Sequence, residues 1–203
     1  MIHSKSNKTL RIKVRKQCWK MSSPDTVFVS NDTKIWKNVS IEPYVVCGKN
    51  VNITNNVKIL SFSHLQGVKR DDKSTIGPFA KLRTGTKIEK NVKVGNYVEV
   101  KKSTLKKNSK VSHLSYIGDS NIGKSTNVGA GTITCNYDGI KKNKTIIQDN
   151  VFIGSNTSLV APIRVEKNSV IGAGSVITKN VKAKSLALTR GAQIEIKNYK
   201  RKK

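Results

Sequence analysis

The chain has 203 residues, 36% of them hydrophobic, which is enough for one domain with a sizeable core. Its 39 Lys and Arg against 12 Asp and Glu leave a net charge of +27, a balance that suits a polyanion or a small anionic substrate. Lys and Asn are enriched together, as in AT-rich genomes, and the aromatic residues needed for base stacking are few, so nucleic acid is not the expected partner.

Residues 1–24 contain no acidic residue and carry a basic run from Lys5 to Lys20. They read as a basic leader or the remnant of a linker rather than a signal peptide, because no apolar core follows the start. Aliphatic residues then recur every six positions over residues 25–182. Val29, Ile35, Ile41, Cys47, Ile53 and Ile59 form one series. Ile76, Leu82, Ile88, Val94, Val100, Leu105, Val111, Ile117, Ile122 and Val128 form a second, with two steps shortened to five, and Ile147 to Ile177 form a third. Four residues after series members stand small or β-branched residues such as Val39, Ala80, Val98, Thr132 and Ser175. Neither a helix nor an alternating strand has this period. A hexapeptide repeat does, and it predicts an all-β parallel β-helix with three short strands in each triangular coil. Gly77, Gly95, Gly118, Gly123, Gly129, Gly154 and Gly172 directly follow series members, where little room is expected for a side chain. Two stretches leave the pattern: residues 60–75, read as a loop or an irregular coil, and 134–145, read as a loop inserted on one edge. Residues 183–203 lose the repeat and are expected to cap the solenoid and end in a basic tail. Three cysteines, Cys18, Cys47 and Cys135, have no metal-ligand spacing and fit reduced thiols in a cytoplasm. No apolar stretch reaches membrane-span length.

Eighteen residues per coil puts positions three hexads apart about 4.8 Å from one another on neighbouring coils. That rule sets Arg83 and Lys101 on the same corner of adjacent coils, where two cations are unfavourable unless an anion lies between them. Arg can grip such an anion bidentately. It also sets Tyr116 over Glu99, His113 over Asn96, and Ala173 over Ser155.

Three runs are more specific than the fold: Gly95-Asn-Tyr-Val-Glu-Val-Lys-Lys102, Ser112-His-Leu-Ser-Tyr-Ile-Gly-Asp119, and Asn127-Val-Gly-Ala-Gly-Thr-Ile-Thr-Cys-Asn-Tyr-Asp-Gly139. With Lys144-Thr-Ile-Ile147, Val151-Phe-Ile-Gly-Ser155, Leu159-Val-Ala-Pro162, Ile171-Gly-Ala-Gly174 and Leu188-Thr-Arg190, the chain over roughly residues 25 to 190 resembles the acetyltransferase half of bacterial bifunctional N-acetylglucosamine-1-phosphate uridylyltransferase/glucosamine-1-phosphate acetyltransferase. The resemblance implies a left-handed coil, a homotrimer, and transfer of acetyl from acetyl-CoA to the amine of glucosamine 1-phosphate for cell-envelope precursors, with no metal. It implies His113 as general base, a task that suits an imidazole because its proton exchanges near neutrality. The sugar phosphate would meet Arg83, Lys101, Tyr116 and Asn127. Acetyl-CoA would meet Ala130, Asn136, Tyr137, Ser155, Ala173 and Arg190. Lys142 and Lys144 are further cations in the inserted loop, and Glu99 is a candidate to orient the imidazole or balance charge. The family's nucleotidyltransferase domain, with its Gly-rich loop, is not matched, so uridylyl transfer is not expected of this chain and a separate protein would supply it.

Other readings compete. Cys135 lies beside these residues and invites an acyl-enzyme, but no histidine is near it in sequence, and the resemblance implies direct transfer. A zinc-dependent carbonic anhydrase on the same solenoid would need several histidines, and only His3, His64 and His113 exist. A non-catalytic remnant of the bifunctional enzyme would keep the scaffold alone. Transfer to another amino sugar or to serine is opposed by the paired cations.

Overall fold

The computed structural model describes residues 18–70, 72–189 and 191–199. Its 27 short strands form three parallel sheets of ten, nine and eight strands. The first sheet runs from Cys18–Met21 to Leu186–Ala187, the second from Phe28–Val29 to Val176–Ile177, and the third from Lys34–Ile35 to Ile163–Val165. Successive strands visit the three sheets in turn, so the chain winds as a left-handed parallel β-helix of about 9 turns. At one strand spacing per coil the ten-stranded face is about 43 Å long. No described residue is α-helical, and no helix is long and apolar enough to cross a membrane.

The hexad explains the section. In each strand the series residue points inward, and Ile41, Ile59, Ile76, Leu82, Val94, Val100, Val111 and Ile117 are all fully buried in one continuous core. The residue four places on is also buried, and where it is Ser or Thr the hydroxyl is satisfied by the corner it closes. Thr132 Oγ1 donates to the carbonyl of Gly129 at 2.8 Å, and Thr157 Oγ1 to that of Gly154 at 2.7 Å. Small polar residues thus enter the core at these corners with their hydroxyls paired, whereas the buried Oγ of Ser109, four residues after Leu105, has no partner.

Both stretches that break the aliphatic pattern are regular in the backbone. Within 60–75, the strand His64–Leu65 joins the second sheet and Val68–Arg70 the third, with Arg70 in register between Ile53 and Ile88. This segment is a coil of the solenoid, hidden in the sequence because a cation stands where other coils have an aliphatic residue. Likewise Ile133–Cys135 is a strand of the second sheet, with Thr134 fully buried at the series position opposite Leu159. The departure from the coil is confined to residues 136–144. At the start of the chain, Cys18–Met21 lies within the segment read as a leader and pairs in parallel with Val39–Ile41. Residues 1–17 lie outside the described residues.

Coils are locked to each other by more than the strand ladders. At the edges, acidic side chains reach one coil over and accept backbone N–H groups: Asp32 from Asn50, Glu42 from Ser61, Asp72 from Asn55, Glu89 from Lys107, Asp149 from Lys124 and Glu166 from Ala183. The bond from Asn50 is the chief reason the Asp32 carboxyl is held below its ordinary range.

The glycines after series residues let neighbouring coils approach. A Cβ at Gly95 would run into the carbonyl of Ser112, and one at Gly129 would sit 2.6 Å from the backbone nitrogen of Ser155. Gly95→Ala should therefore lower stability by about 1–3 kcal/mol through overpacking, read as a lower midpoint of thermal unfolding by circular dichroism.

Candidate functional site

The edge between the first and second sheets carries His113. It ends the strand Lys110–His113 of the first sheet, and the strand Lys93–Asn96 puts Asn96 directly opposite it on the preceding coil. His113 Nδ1 lies 2.5 Å from Asn96 Oδ1. An amide oxygen only accepts, so this contact selects the tautomer protonated at Nδ1 and leaves the Nε2 lone pair facing outward on an exposed side chain. Beyond His113 the same column continues through Ala130, Ser155 and Ala173, tied coil to coil by Gly131 N–H to the His113 carbonyl, Asn156 N–H to that of Ala130, and Gly174 N–H to that of Ser155. His113 and Ala173 are three coils apart, about 14 Å. His113 and the small-residue column share one straight edge.

The opposite margin of the second sheet is cationic. Arg83 and Lys101 follow Leu82 and Val100, which are paired in register, so the two side chains leave neighbouring coils at the same corner. They do not simply face one another. Arg83 turns to Glu99, with a guanidinium nitrogen 2.7 Å from Oε1. Lys101 meets Lys142 of the inserted loop, and Lys142, with Arg83 and Lys102 behind it, pushes the Lys101 ammonium below its ordinary lysine range. The repulsion is a cost of gathering like charges here, and an anion at this corner would relieve it. His64, Gln66, Lys81, Arg83, Lys101 and Lys102 surround a hollow of about 470 Å³ beside it. Glu99 serves Arg83 in this structure, and the imidazole's partner is Asn96.

Between the two margins lies Tyr116, opposite Glu99 in register. Its ring covers Gly118, where a Cβ would stand 2.6 Å from the phenol oxygen and 2.8 Å from Asn136 Nδ2. Asn136 is buried and donates to Asp119 Oδ2 at 2.6 Å, which anchors the start of the inserted loop. Tyr137 is 60% exposed. Asn127 is half-buried on the first sheet, opposite Lys110 and Phe152 and around the edge from Tyr116. Structure thus gathers Arg83, Glu99, Lys101, Tyr116, Asn136 and Lys142 on one side, and Asn96, His113, Ala130, Ser155 and Ala173 on the other. Arg190 lies outside the described residues.

The insertion is a small hairpin closed by an isolated antiparallel bridge between Tyr137 and Lys142. Asp138 organises it, accepting the backbone N–H groups of Ile140 at 2.9 Å and Lys141 at 2.8 Å and the side-chain amide of Asn143 at 2.7 Å. Among the described residues no three His, Cys, Asp or Glu side chains converge as metal ligands.

Comparison with known proteins places this architecture. A family model described as the GMPPB C-terminal domain matches residues 64–161, and one described as a hexapeptide repeat of succinyl-transferase matches residues 144–179. The bifunctional protein GlmU of Zymomonas mobilis is 52% identical over 171 residues, 84% of this chain and 38% of that protein. GlmU of Thermosipho africanus is 42% identical over 209 residues, 95% of this chain and 46% of that protein. The chain corresponds to the C-terminal, hexapeptide-repeat part of GlmU. It spans less than half the length of these curated relatives. Among solved structures, LpxA from Acinetobacter baumannii aligns with a TM-score of 0.65 at 17% identity over 84% of this chain and 71% of that one, which shows a shared fold.

The hydrogen bonds from Lys141, Ile140 and Asn143 hold the Asp138 carboxyl down at about 2. Because the folded value is depressed from about 3.8, the carboxylate favours the ordered hairpin above that value and the contribution is lost as pH falls through about 2. Carboxyl resonances should report a titration of Asp138 near 2, and Asp138→Asn should speed amide exchange at Ile140 and Lys141 at neutral pH. An ordinary carboxylate titration would contradict the hairpin's geometry.

Proposed function

We propose that the chain transfers the acetyl group of acetyl-CoA to the amine of glucosamine 1-phosphate, working as a homotrimer in the synthesis of cell-envelope precursors. The observation that carries this reading is the second sheet itself. Its one margin holds an imidazole with a free Nε2 at the head of a small-residue column, and its other holds a cation cluster strained enough to call for an anion. A phosphorylated amino sugar has an amine and a phosphate to meet both.

In the proposed step the amine lone pair attacks the thioester carbonyl carbon while His113 Nε2 takes a proton from the nitrogen. The tetrahedral intermediate then collapses with cleavage of the C–S bond. The departing thiolate recovers that proton from the imidazolium, giving the N-acetyl sugar phosphate and free CoA. No metal takes part. Lys101, Lys142 and Arg83 bind the phosphate, with Glu99 holding the guanidinium in place. Tyr116 and Asn127 border the sugar from the two sheets that meet at the His113 edge. Ala130, Ser155 and Ala173 leave the edge low enough for a pantetheine arm to lie against exposed backbone, with Asn136, Tyr137 and Arg190 as further contacts. The net charge of +27 draws both anionic substrates toward the surface.

His113→Ala should reduce turnover on the order of 10²-fold or more, the usual scale for a lost general base, with folding and acetyl-CoA binding retained. Full activity in that variant would remove the histidine from the mechanism. Asn96→Asp should move the acid limb of kcat/KM to higher pH, because a carboxylate at Nδ1 favours the imidazolium. Lys101→Ala should chiefly raise KM for the sugar phosphate, and the parent chain should strongly prefer glucosamine 1-phosphate to glucosamine and serine in assays of CoA release. Equal use of the sugar without phosphate would sink the clamp. The pure chain should release no pyrophosphate from UTP and N-acetylglucosamine 1-phosphate.

A further inference from the structure

The hollow of about 470 Å³ beside Arg83 and Lys101 extends past the point where a phosphate on Lys101 would sit. Three successive coils line it: His64 and Gln66 on the first, Lys81, Arg83 and Thr84 on the second, Lys101 and Lys102 on the third. Leu65, Leu82 and Val100 are in register, so the residues that follow them, Gln66, Arg83 and Lys101, form one column along the corner. His64 stands opposite Lys81 by the same pairing. From Lys101 to Gln66 the column covers two coil steps, about 10 Å. A phosphate held by Lys101 and Lys142 reaches only the end nearer the inserted hairpin.

The far end has binding groups of its own. Among the described residues, His64, Gln66, Lys81 and Lys102 make no side-chain hydrogen bond or ion pair, and no Asp or Glu lines the hollow. Glu99, opposite Lys81 in register, is held by Arg83 at 2.7 Å. Two glycines keep the corner low. A Cβ at Gly85 would stand 3.2 Å from Lys102 Cγ, so the lysine stem packs over Gly85 on the coil before its own, and a Cβ at Gly67 would stand 2.8 Å from Thr84 Oγ1. Both have positive φ, 59° at Gly67 and 86° at Gly85.

We propose that this hollow is a second anion subsite, which takes the outer phosphate and the nucleoside of a nucleoside diphosphate whose inner phosphate lies at Lys101. The spread of the cations decides for two phosphates over one, because Lys101 with Lys142 and Arg83 with Lys102 belong to different steps of the column. Beyond them the chemistry changes. His64 offers a flat ring and Gln66 a carboxamide with donor and acceptor together, groups that stack on a base and bond its edge. Pyrophosphate alone would leave both without a partner, and a second sugar would leave Lys81 and Lys102 unmatched. The inner phosphate position is also the one proposed for glucosamine 1-phosphate, so a nucleoside diphosphate, free or linked to a sugar, excludes that substrate. Compounds made by nucleotidyl transfer to the proposed product would thereby restrain their own supply. This competition rests on the acetyltransferase reading; the subsite does not.

Calorimetric titration of the full chain with UDP tests it, with inorganic pyrophosphate and uridine in parallel. UDP should bind about tenfold or more tightly than either, the scale of one stacked base. It should shift the backbone amide resonances of Gly67 and Gly85 and leave those of Gly129 and Gly174, on the small-residue edge, in place. His64→Ala combined with Gln66→Ala should weaken UDP about tenfold while KM for glucosamine 1-phosphate stays as in the parent. In assays of CoA release, UDP should raise that KM without lowering kcat. Pyrophosphate that binds as tightly as UDP, a double variant that binds UDP as the parent does, or shifts at Gly129 and Gly174 in place of Gly67 and Gly85 would each overturn the subsite. A chain that binds UDP at Gly67 and Gly85 but does not acetylate glucosamine 1-phosphate would instead overturn the functional reading and leave the subsite standing.

Discussion

Everything in this protein depends on one repeated interaction, the parallel main-chain hydrogen bonds that hold each coil one strand spacing from the next. They tie residue n to a residue 17 or 18 positions later, as Arg83 N–H to the Val100 carbonyl and Lys81 N–H to that of Val98. Because a coil cannot cover its own flat faces, no coil is stable alone, and the stack is the smallest unit that buries a core. The same bonds convert sequence spacing into spatial columns. A function that needs several side chains in line can then be written as a period in the sequence, which is how His113, Ala130, Ser155 and Ala173 come to share an edge.

The stack also explains how the chain tolerates its charge. Six of its 12 acidic residues are used as clips between coils, each accepting a backbone N–H at an edge. Asp138 and Asp119 hold the inserted hairpin, and Glu99 holds Arg83. The acids that remain are those on which local structure depends, while lysines occupy outward positions where water screens them. A field of one sign then surrounds a rigid prism.

Much of this was legible in the sequence because the hexad is so regular. Series residues, their small partners and the pairings of Arg83 with Lys101 and His113 with Asn96 all follow from counting. The aliphatic period breaks at Arg70 and Thr134, where the backbone keeps the register but the residue at the series position is not aliphatic. It could have been rescued at Thr134, which is β-branched and stands six residues after Val128. Columns alone could not say which neighbour a flexible side chain chooses. Glu99 and Asn96 both stood near the imidazole by count, and only the folded chain gives the first to Arg83 and the second to His113. The proximity of Lys142 to Lys101 was hidden for another reason: it depends on the fold of a hairpin outside the repeat. The stack of Tyr44, Phe62, Phe79 and Tyr97 is not legible in any local window, because its rings lie 17 or 18 residues apart, one to a coil.

A rigid sheet between the imidazole and the cations has a consequence for the proposed reaction. Tyr116 opens a strand that is paired on both sides, and Gly118 two residues on must lack a side chain to leave room for the phenol and the Asn136 amide. Neither margin can shift toward the other without breaking ladder bonds shared with the coils above and below. Such a face selects substrates by span, since an amine and an anion must be separated by the width of the sheet to engage both margins. The inserted hairpin is the exception, because Lys142 stands outside the ladders and is held by Asp138 rather than by stacking. Adjustment to the proposed anion would therefore be concentrated in that hairpin, while the alignment of imidazole and small-residue column is set by the stack.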